Sequence, residues 1–209
     1  NTLRAPDLFR SLFDQGTNRE ALKQVQGKGV CRLTLTRLLK PKSIAVVGGG
    51  YWGNNIIEQC RKLGFDGTIY PVHPKAETMA GLPAYKALSD LPETPDATFI
   101  GVNRQLTIQI VRQLSDMGAG GAVCFASGFA EASAEIEGSD DLQAQLLEAA
   151  GEMPILGPNC YGFINLLDKA CLWPDQHGAV ACDSGVALLT QSSNIAINLT
   201  MQTRGLPIA

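Results

Sequence analysis

The sequence predicts an α/β fold in which helices cover both faces of a parallel β-sheet. Short apolar runs, such as residues 44–47, alternate along the chain with longer segments whose apolar residues recur at helical spacing. Uninterrupted apolar runs are typical of strands buried on both faces, and regular strand–helix alternation is typical of parallel sheets. With 209 residues, 45% hydrophobic and 18% charged, the chain is expected to bury a core and to be neither disordered nor fibrous.

The elements follow in a regular order from Ser43 onward. Strands are predicted at residues 44–47, 68–72, 97–102, 121–126, 154–156 and 185–190. Helices are predicted between them, with apolar stripes at Ile56, Cys60 and Leu63, at Leu106, Ile110, Val111, Leu114 and Met117, at Leu142 and Leu146, and at Ile195 and Leu199. Gly64 is expected to cap the first of these helices at its C-terminus. Ser139 is the expected N-cap of the third helix, and Asp140-Asp141 are interpreted as its acidic first turn rather than as a metal pair.

Three regions are predicted along the chain. Residues 1–30 form an N-terminal arm with a short apolar helical pattern, which the motif Gly27-Lys28-Gly29 interrupts. Residues 31–183 form the main α/β domain. Residues 184–209 supply one strand and one helix, which cannot bury their own apolar faces, so we interpret them as the opening of a second α/β domain.

Charge and cysteine usage exclude several classes of function. The net charge is −3 without a basic tract, which argues against nucleic-acid binding. No apolar run approaches the ~18 residues of a membrane span, and the first residues lack the apolar stretch of a signal peptide. Six cysteines without a C-x-x-C pair and only two histidines give no metal-site spacing. We therefore expect a cytoplasmic protein with reduced cysteines and no metal site.

A glycine-rich loop follows the first predicted strand and opens the first predicted helix. Its residues satisfy G-x-G-x-x-G, a pattern typical of Rossmann-like nucleotide-binding domains: Gly48, Gly49, Gly50, Tyr51, Trp52 and Gly53. Such a loop leaves room for a phosphate beside backbone N–H groups at a helix start, although a tight turn without a ligand remains an alternative. Trp52 has two open roles, either against the ligand or as a cap on the sheet.

The residues after the second strand favour a ribose that carries an extra phosphate. An NAD site usually has an acidic residue here, but the chain reads Val72-His73-Pro74-Lys75, with no carboxylate before Glu77. Lys75 is a cation suited to the 3′-phosphate of coenzyme A or the 2′-phosphate of NADP. A solvated surface lysine is the alternative interpretation.

Polar loops also follow three later strands, at residues 103–105, 127–131 and 157–162. Ligands of open α/β sheets bind at the carboxyl ends of the strands, so these loops are candidate ligand contacts. Asn159 offers both a donor and an acceptor. Cys160 has no histidine placed to activate it and is interpreted as a packed cysteine rather than a nucleophile.

Four segments together resemble a known family. Residues 38–48, 64–75, 127–131 and 157–162 look like the CoA-binding domain of NDP-forming acyl-CoA synthetases, which are related to the α subunit of succinyl-CoA synthetase. The resemblance covers residues 38 to about 205. It implies a Rossmann-like domain followed by the start of a flavodoxin-like one. The reaction it implies for the intact protein is acyl-CoA formation from an acid, CoA and a nucleoside triphosphate through a phosphohistidine.

The resemblance also implies contacts with coenzyme A. The expected contacts are Gly48 to Gly53 at the pyrophosphate, Pro74 and Lys75 at the 3′-phosphate with His73 beside them, Asn103 and Arg104 at the adenine or ribose, Ser127 and Gly128 at pantetheine, and Asn159, Cys160 and Gly162 at the thiol end. The chain departs from the family in three places. His73 replaces an asparagine, Ser193 replaces a glycine in the turn 190–193, and residues 103–104 replace a proline-containing turn.

The phosphorylated histidine of the family lies beyond Ala209, so the resemblance assigns no catalytic residue to this chain. It assigns ATP or ADP, Mg²⁺ and the ATP-grasp part to the intact enzyme, with the remaining ligase domains or subunit as partners in a homo-oligomer. Two alternatives stay open. One is an NADP-dependent oxidoreductase domain, although no Tyr-x-x-x-Lys pair is evident, and the other is a noncatalytic CoA-sensing module.

Overall fold

The computed structural model describes residues 35–135, 137–203, 205 and 207–209, so the predicted arm over residues 1–30 lies outside them. The helices are α1 (Thr36–Leu39), α2 (Tyr51–Leu63), α3 (Arg104–Asp116), α4 (Ser139–Ala150) and α5 (Ser193–Met201). The strands are β1 (Ser43–Gly48), β2 (Thr68–Val72), β3 (Thr78–Met79), β4 (Leu82–Pro83), β5 (Ala97–Gly101), β6 (Ala122–Cys124), β7 (Ile155–Leu156), β8 (Phe163–Asn165) and β9 (Ala170–Leu172). Short 3₁₀ turns lie at Leu88–Asp90 and Ala130–Ala132.

The central sheet confirms the predicted parallel architecture. Its five strands run in the order β2-β1-β5-β6-β7, and every pair is parallel. Val47 of β1 lies opposite Val72 of β2 on one side and Ile100 of β5 on the other. After β1, the chain first forms β2 on one side of β1 and then crosses over to form β5 on the other side. A crevice at the carboxyl ends of β1 and β5 is expected at this switch point.

Helices cover both faces of the sheet, as predicted. Successive side chains of a strand point to opposite faces. Val46 and Phe99 accordingly pack with Ile56 of α2, whereas Val47 and Ile100 pack in a separate cluster with α3 and α4. The hairpin β8–β9 completes the face that α2 covers, since Leu172 belongs to that cluster. All six residues of β1 are buried, as its uninterrupted apolar run requires.

Helix α2 has the predicted buried stripe and the predicted end. Ile56, Cys60 and Leu63 are buried, and Gly64 caps the helix in a left-handed conformation with φ 76°. The thiol of Cys60 donates to the carbonyl oxygen of Cys171 at 3.0 Å. Burial raises the pKa of Cys60 to about 12, so the thiol stays protonated and acts as a small core residue.

The start of α4 lies one residue away from the prediction. Gly138 is the N-cap, with φ 77°, and Ser139 is the first helical residue. A positive φ suits glycine and disfavours serine, which explains why the chain turns into the helix at Gly138. Asp140 and Asp141 occupy the first turn as predicted, where carboxylates interact favourably with the helix dipole.

The predicted buried strand over residues 185–190 does not form. Within the described residues, Val186 makes an isolated parallel bridge with Ile208, and Leu189 remains 56% exposed. A strand of this kind needs neighbours to pair with and a layer to cover its apolar side chains. Helix α5 follows as predicted but ends at Met201, and Ser192 caps it by accepting from the N–H of Ile195. The division into two domains stays a prediction.

None of the helices in the described part of the chain is long and apolar enough to cross a membrane.

The buried imidazole of His177 should make the free energy of unfolding depend on pH. Its side chain is only 2% exposed, with Nε2 3.8 Å from the Sγ of Cys171. Burial, with a contribution from the Lys62 ammonium, lowers the pKa of His177 to about 4 from its ordinary 6.5. Between these values only the unfolded chain binds the proton, so we expect stability to fall from about pH 6.5 down to about pH 4, by about 3 kcal/mol at most.

The measurement is the free energy of unfolding in urea between pH 7.5 and pH 4.5, for the wild type and for His177→Gln. The variant should lose stability less steeply over this range. The comparison concerns the slope with pH, so a uniform loss of stability in the variant does not affect it. Equal slopes in the two proteins would contradict the assignment.

Candidate functional site

The five loops that the sequence singled out leave the same edge of the sheet. They follow β1, β2, β5, β6 and β7, and parallel strands have their carboxyl ends at one edge. Direct contacts connect several of them. A Cβ added to Gly101 would lie 2.7 Å from the Cα of Gly49, and the N–H of Asn159 donates to the oxygen of Ala126 at 2.9 Å.

The glycine loop is a backbone cradle that side chains would fill. Gly49 and Gly50 have φ values of 87° and 50°, which L side chains rarely adopt. A Cβ on Gly49 would lie 2.9 Å from the nitrogen of Gly53, and a Cβ on Gly53 would collide with the oxygen of Gly48. In front of Gly50 there is open space, since a Cβ there meets no heavy atom within 4 Å. The loop is tight internally and open outward.

The start of α2 suits an anion. Gly50 is its N-cap and supplies no side-chain acceptor, and the first turn has no acidic residue. The N–H groups of Trp52 and Asn54 donate to the oxygens of Gly49 and Gly50. The first N–H groups of a helix otherwise lack intrahelical acceptors, and the helix dipole adds partial positive charge. Because the N–H groups of Trp52, Gly53 and Asn54 already have acceptors in the loop, the helix dipole is the effect that would favour a phosphate beside Gly50.

Trp52 packs against aromatic rings over the end of the sheet. Its ring centroid lies 5.6 Å from that of Phe125 and 6.4 Å from that of Tyr161, and Tyr161 in turn lies 5.3 Å from Trp173. Of the two roles considered for Trp52, these contacts favour the cap on the sheet. Tyr51 is 71% exposed, so it is the aromatic residue of the loop that faces outward.

The turn after β2 carries a lysine, Lys75, that forms no ion pair with the described residues. The side chain of His73 accepts two backbone hydrogen bonds at Nδ1, from the N–H of Lys75 at 3.1 Å and of Ala76 at 2.9 Å. Lys75 is exposed, and among the described residues its ammonium makes no recorded ion pair. Lys86, by contrast, is engaged with Glu77 at 2.9 Å.

The two polar residues after β5, Asn103 and Arg104, form hydrogen bonds with backbone groups of the protein. Asn103 caps α3, since its Oδ1 accepts from the N–H of Leu106 at 3.0 Å. Arg104 reaches across to the next loop and donates to the oxygen of Gly128 at 3.3 Å. A Cβ on Gly128 would collide with the Arg104 guanidinium. Arg104 therefore lies over the loop of Ser127 and Gly128, and it stays half-buried at the carboxyl edge.

A carboxylate that the sequence analysis gave no role holds the loop after β6. Glu131 accepts from the N–H of Gly128 at 2.7 Å and from the N–H of Phe129 at 3.2 Å. This arrangement exposes Ser127 and buries Phe129 completely. Glu131 lies three residues after Gly128, at the start of a 3₁₀ turn, which is the spacing of a capping box. This spacing was the signal in the sequence that could have identified its role. Phe125 and Tyr161 were missed because ring contacts have no local sequence signature.

The loop after β7 curves against the end of β6. It contains a cis peptide bond between Gly157 and Pro158, and Asn159 has a positive φ of 53°. The N–H of Cys160 donates to the oxygen of Cys124 at 3.3 Å, and Gly162 allows close contact with the oxygen of Leu172. Burial raises the pKa of the Cys160 thiol. Cys160 is thus held protonated, which fits a packed cysteine better than a nucleophile.

In the described ranges, histidine, cysteine and acidic side chains form no group of three or more that is suited to a metal ion.

The close contacts of Gly53 predict that Gly53→Ala destabilises the protein, although helix propensity alone predicts that it stabilises it. Alanine in a helix is normally favoured over glycine by about 1 kcal/mol. Because a Cβ at this position would meet the Gly48 oxygen and, at 2.9 Å, the Met79 methyl, we expect Gly53→Ala to lower the free energy of unfolding by about 1–3 kcal/mol. Urea denaturation measures the change. A variant as stable as the wild type, or more stable, would show that the loop is not held in this close contact.

Comparisons with known proteins place this geometry in a family. The model of the CoA binding domain family matches residues 42–165, more than half of the chain. The chain is 37% identical over 142 residues to trans-feruloyl-CoA synthase FCS1 of an unknown prokaryotic organism, which covers 66% of this chain and 20% of that protein. It is 36% identical over 137 residues to the ADP-forming acetate–CoA ligase I of Archaeoglobus fulgidus, covering 63% of this chain and 19% of that ligase.

A solved structure shows the same fold. The apo form of the dinucleotide-forming acetyl-coenzyme A synthetase 1 of Ca. Korarchaeum cryptofilum superposes with a TM-score of 0.71 and 29% identity, covering 84% of this chain and 38% of that one. The chain spans about a fifth of the length of the two curated relatives described above. It belongs to the CoA binding domain family and matches the CoA-binding portion of ADP-forming acid–CoA ligases.

Proposed function

We propose that this chain binds coenzyme A for an NDP-forming acyl-CoA synthetase, the glycine loop holding the pyrophosphate and Lys75 the 3′-phosphate. The observation that carries the proposal is the adjacency of β1 and β2, whose last residues pair as Val47 with Val72. Neighbouring strands lie about 4.8 Å apart. The helix start after β1 and the unpaired cation after β2 therefore sit side by side at one edge.

The cradle supports a ligand with phosphate groups near the backbone. The open space in front of Gly50 and the absence of an acid in the first turn of α2 fit a pyrophosphate. A separate cation on the neighbouring strand fits a phosphate at the ribose of the same ligand. The ribose 3′-phosphate of CoA supplies that second group.

The remaining loops supply a path for the pantetheine arm. The exposed Ser127 and the buried Gly128 would contact its amides, with Arg104 alongside and Asn103 at the adenosine end. The loop of Asn159, Cys160 and Gly162 would lie near the thiol. The protonated state of Cys160 supports a packing role there rather than attack on the substrate.

The chemistry of the intact enzyme is assigned to other parts. We propose that an acid, CoA and a nucleoside triphosphate are converted to acyl-CoA, NDP and phosphate through a phosphohistidine outside these residues, with ATP or ADP and Mg²⁺ held by an ATP-grasp part. The partners would be the remaining ligase domains or subunit, in a homo-oligomer. The described cysteines are free thiols. This supports a cytoplasmic location, because an oxidising compartment favours the formation of disulfides.

The comparisons do not favour the two other functions considered. The matching family and the curated relatives are CoA-binding proteins and acid–CoA ligases, which argues against an NADP-dependent oxidoreductase domain. A noncatalytic sensing module has no relative in its favour among those described above.

Lys75→Ala tests the assignment of the 3′-phosphate. Loss of a charge-assisted contact costs about 1.5–3 kcal/mol, which corresponds to a CoA affinity about ten- to a hundredfold lower. Dephospho-CoA lacks the 3′-phosphate, so its affinity should change little. Isothermal titration calorimetry with both ligands measures the two effects.

Lys42→Ala is the matched control for that titration. Lys42 is also exposed but lies just before β1, at the opposite edge of the sheet. Its removal changes the net charge equally and should leave both affinities unchanged. Equal weakening of CoA and dephospho-CoA by Lys75→Ala would remove the assigned role of the lysine, and absence of CoA binding by the wild type would refute the proposed function.

A further inference from the structure

The turn that carries Lys75 depends on one imidazole nitrogen. Nδ1 of His73 accepts from the N–H groups of both Lys75 and Ala76, at 3.1 and 2.9 Å. These two N–H groups have no other recorded acceptor, and no other side chain is recorded as bonded to them in the described residues. A nitrogen that accepts two hydrogen bonds cannot itself carry a proton.

This geometry fixes the chemical form of the ring. A neutral imidazole has one protonated and one unprotonated nitrogen, and the hydrogen bond at one nitrogen decides which tautomer is present. Because Nδ1 is the acceptor, the proton lies on Nε2, which becomes a donor. His73 is half-buried. Its backbone N–H donates to the backbone oxygen of Tyr85 at 2.9 Å, so its main chain is fixed to the neighbouring segment.

We infer that His73 is a positioning residue that acts through Lys75: as the neutral Nε2–H tautomer, it holds the turn that presents the Lys75 ammonium to a phosphate at the carboxyl edge of the sheet. This inference rests on the proposed function, since the phosphate is that of CoA. It assigns to His73 a task that the turn needs and that a solvated surface histidine would not perform.

The far side of the turn is held independently, which makes His73 the specific support of its tip. Lys86 donates to the oxygen of Ala76 at 3.0 Å and pairs with Glu77. Ala84 donates to the oxygen of Glu77 at 2.9 Å. These bonds fix residues 76–77, whereas the recorded side-chain contact of the Lys75 N–H is His73. Loss of the His73 side chain should therefore free Lys75 without unfolding the hairpin that follows.

The same geometry explains which side chains can replace His73. An asparagine carries an acceptor oxygen at the branch point where His73 has Nδ1, and its amide group supplies donors in place of Nε2–H. An aspartate offers the same acceptor but places a negative charge beside the bound phosphate. An alanine offers neither. The three variants therefore separate the turn contact from the charge.

The first experiment measures the tautomer without any ligand. A two-bond ¹H–¹⁵N correlation spectrum of the ¹⁵N-labelled 209-residue chain at pH 8 distinguishes a protonated from an unprotonated ring nitrogen. The chain has two histidines, so the signals that disappear in His73→Asn identify His73. We expect the Nε2–H form. An Nδ1–H form, or an equal mixture of the two, would overturn the inference.

The second experiment measures binding of CoA and dephospho-CoA by calorimetry for the same proteins. Two hydrogen bonds of about 0.5–1.5 kcal/mol each predict that His73→Ala binds CoA roughly tenfold more weakly, with dephospho-CoA nearly unchanged. His73→Asn should keep the wild-type affinity to within about threefold, on the same scale of energies. His73→Asp should weaken CoA more than dephospho-CoA while keeping the thermal stability of His73→Asn.

A His73→Ala variant that binds CoA as tightly as His73→Asn would overturn the inference. So would a His73→Ala variant in which both ligands weaken equally. A wild-type chain that binds no CoA would refute the proposed function instead, and the tautomer spectrum of the free protein would then decide the turn contact alone. The melting temperature of each variant confirms that it is folded.

Discussion

The close approach of three backbone segments at Gly49, Gly53 and Gly101 is the constraint on which the site depends. The loop after β1 passes within van der Waals distance of the end of β5 and of the first turn of α2, leaving no room for a Cβ at Gly53 or Gly101. This contact brings the helix start against the sheet at the point where the strand order reverses. An anion-binding helix terminus and the crevice of the fold therefore coincide.

The parallel sheet distributes the other groups around that point. Every strand of the sheet ends at the same edge, so loops that are far apart in the sequence become neighbours there. The cations there differ in their state. Arg104 is bonded to Gly128 and Lys86 to Glu77, whereas Lys75 makes no ion pair among the described residues. The unpaired state of Lys75, rather than the number of cations, makes this turn a candidate anion contact.

Several polar side chains at the carboxyl edge form hydrogen bonds with the backbone of the protein itself. Asn103 caps α3, Glu131 holds the backbone of its loop, and His73 holds the backbone of its own turn. Trp52 packs on Phe125 and Tyr161 instead of projecting outward. A polar or aromatic residue near a strand end therefore does not by itself identify an atom that is free to contact a ligand. Side chains at such ends satisfy backbone groups first, because unpaired groups there are costly.

The sequence by itself determined the five strands of the central sheet and the helices that follow them, but not the short strands β3, β4, β8 and β9. Apolar periodicity reports burial one element at a time, and glycines mark where the backbone must turn tightly, so β1, α2 and the loop between them follow from local pattern. The tertiary structure decided the strand order, the aromatic contacts of Trp52 and the acceptor role of His73 Nδ1. It also decided that residues 185–190 make a single bridge within the described part of the chain, because strand pairing and burial require neighbouring strands that an apolar run alone does not specify.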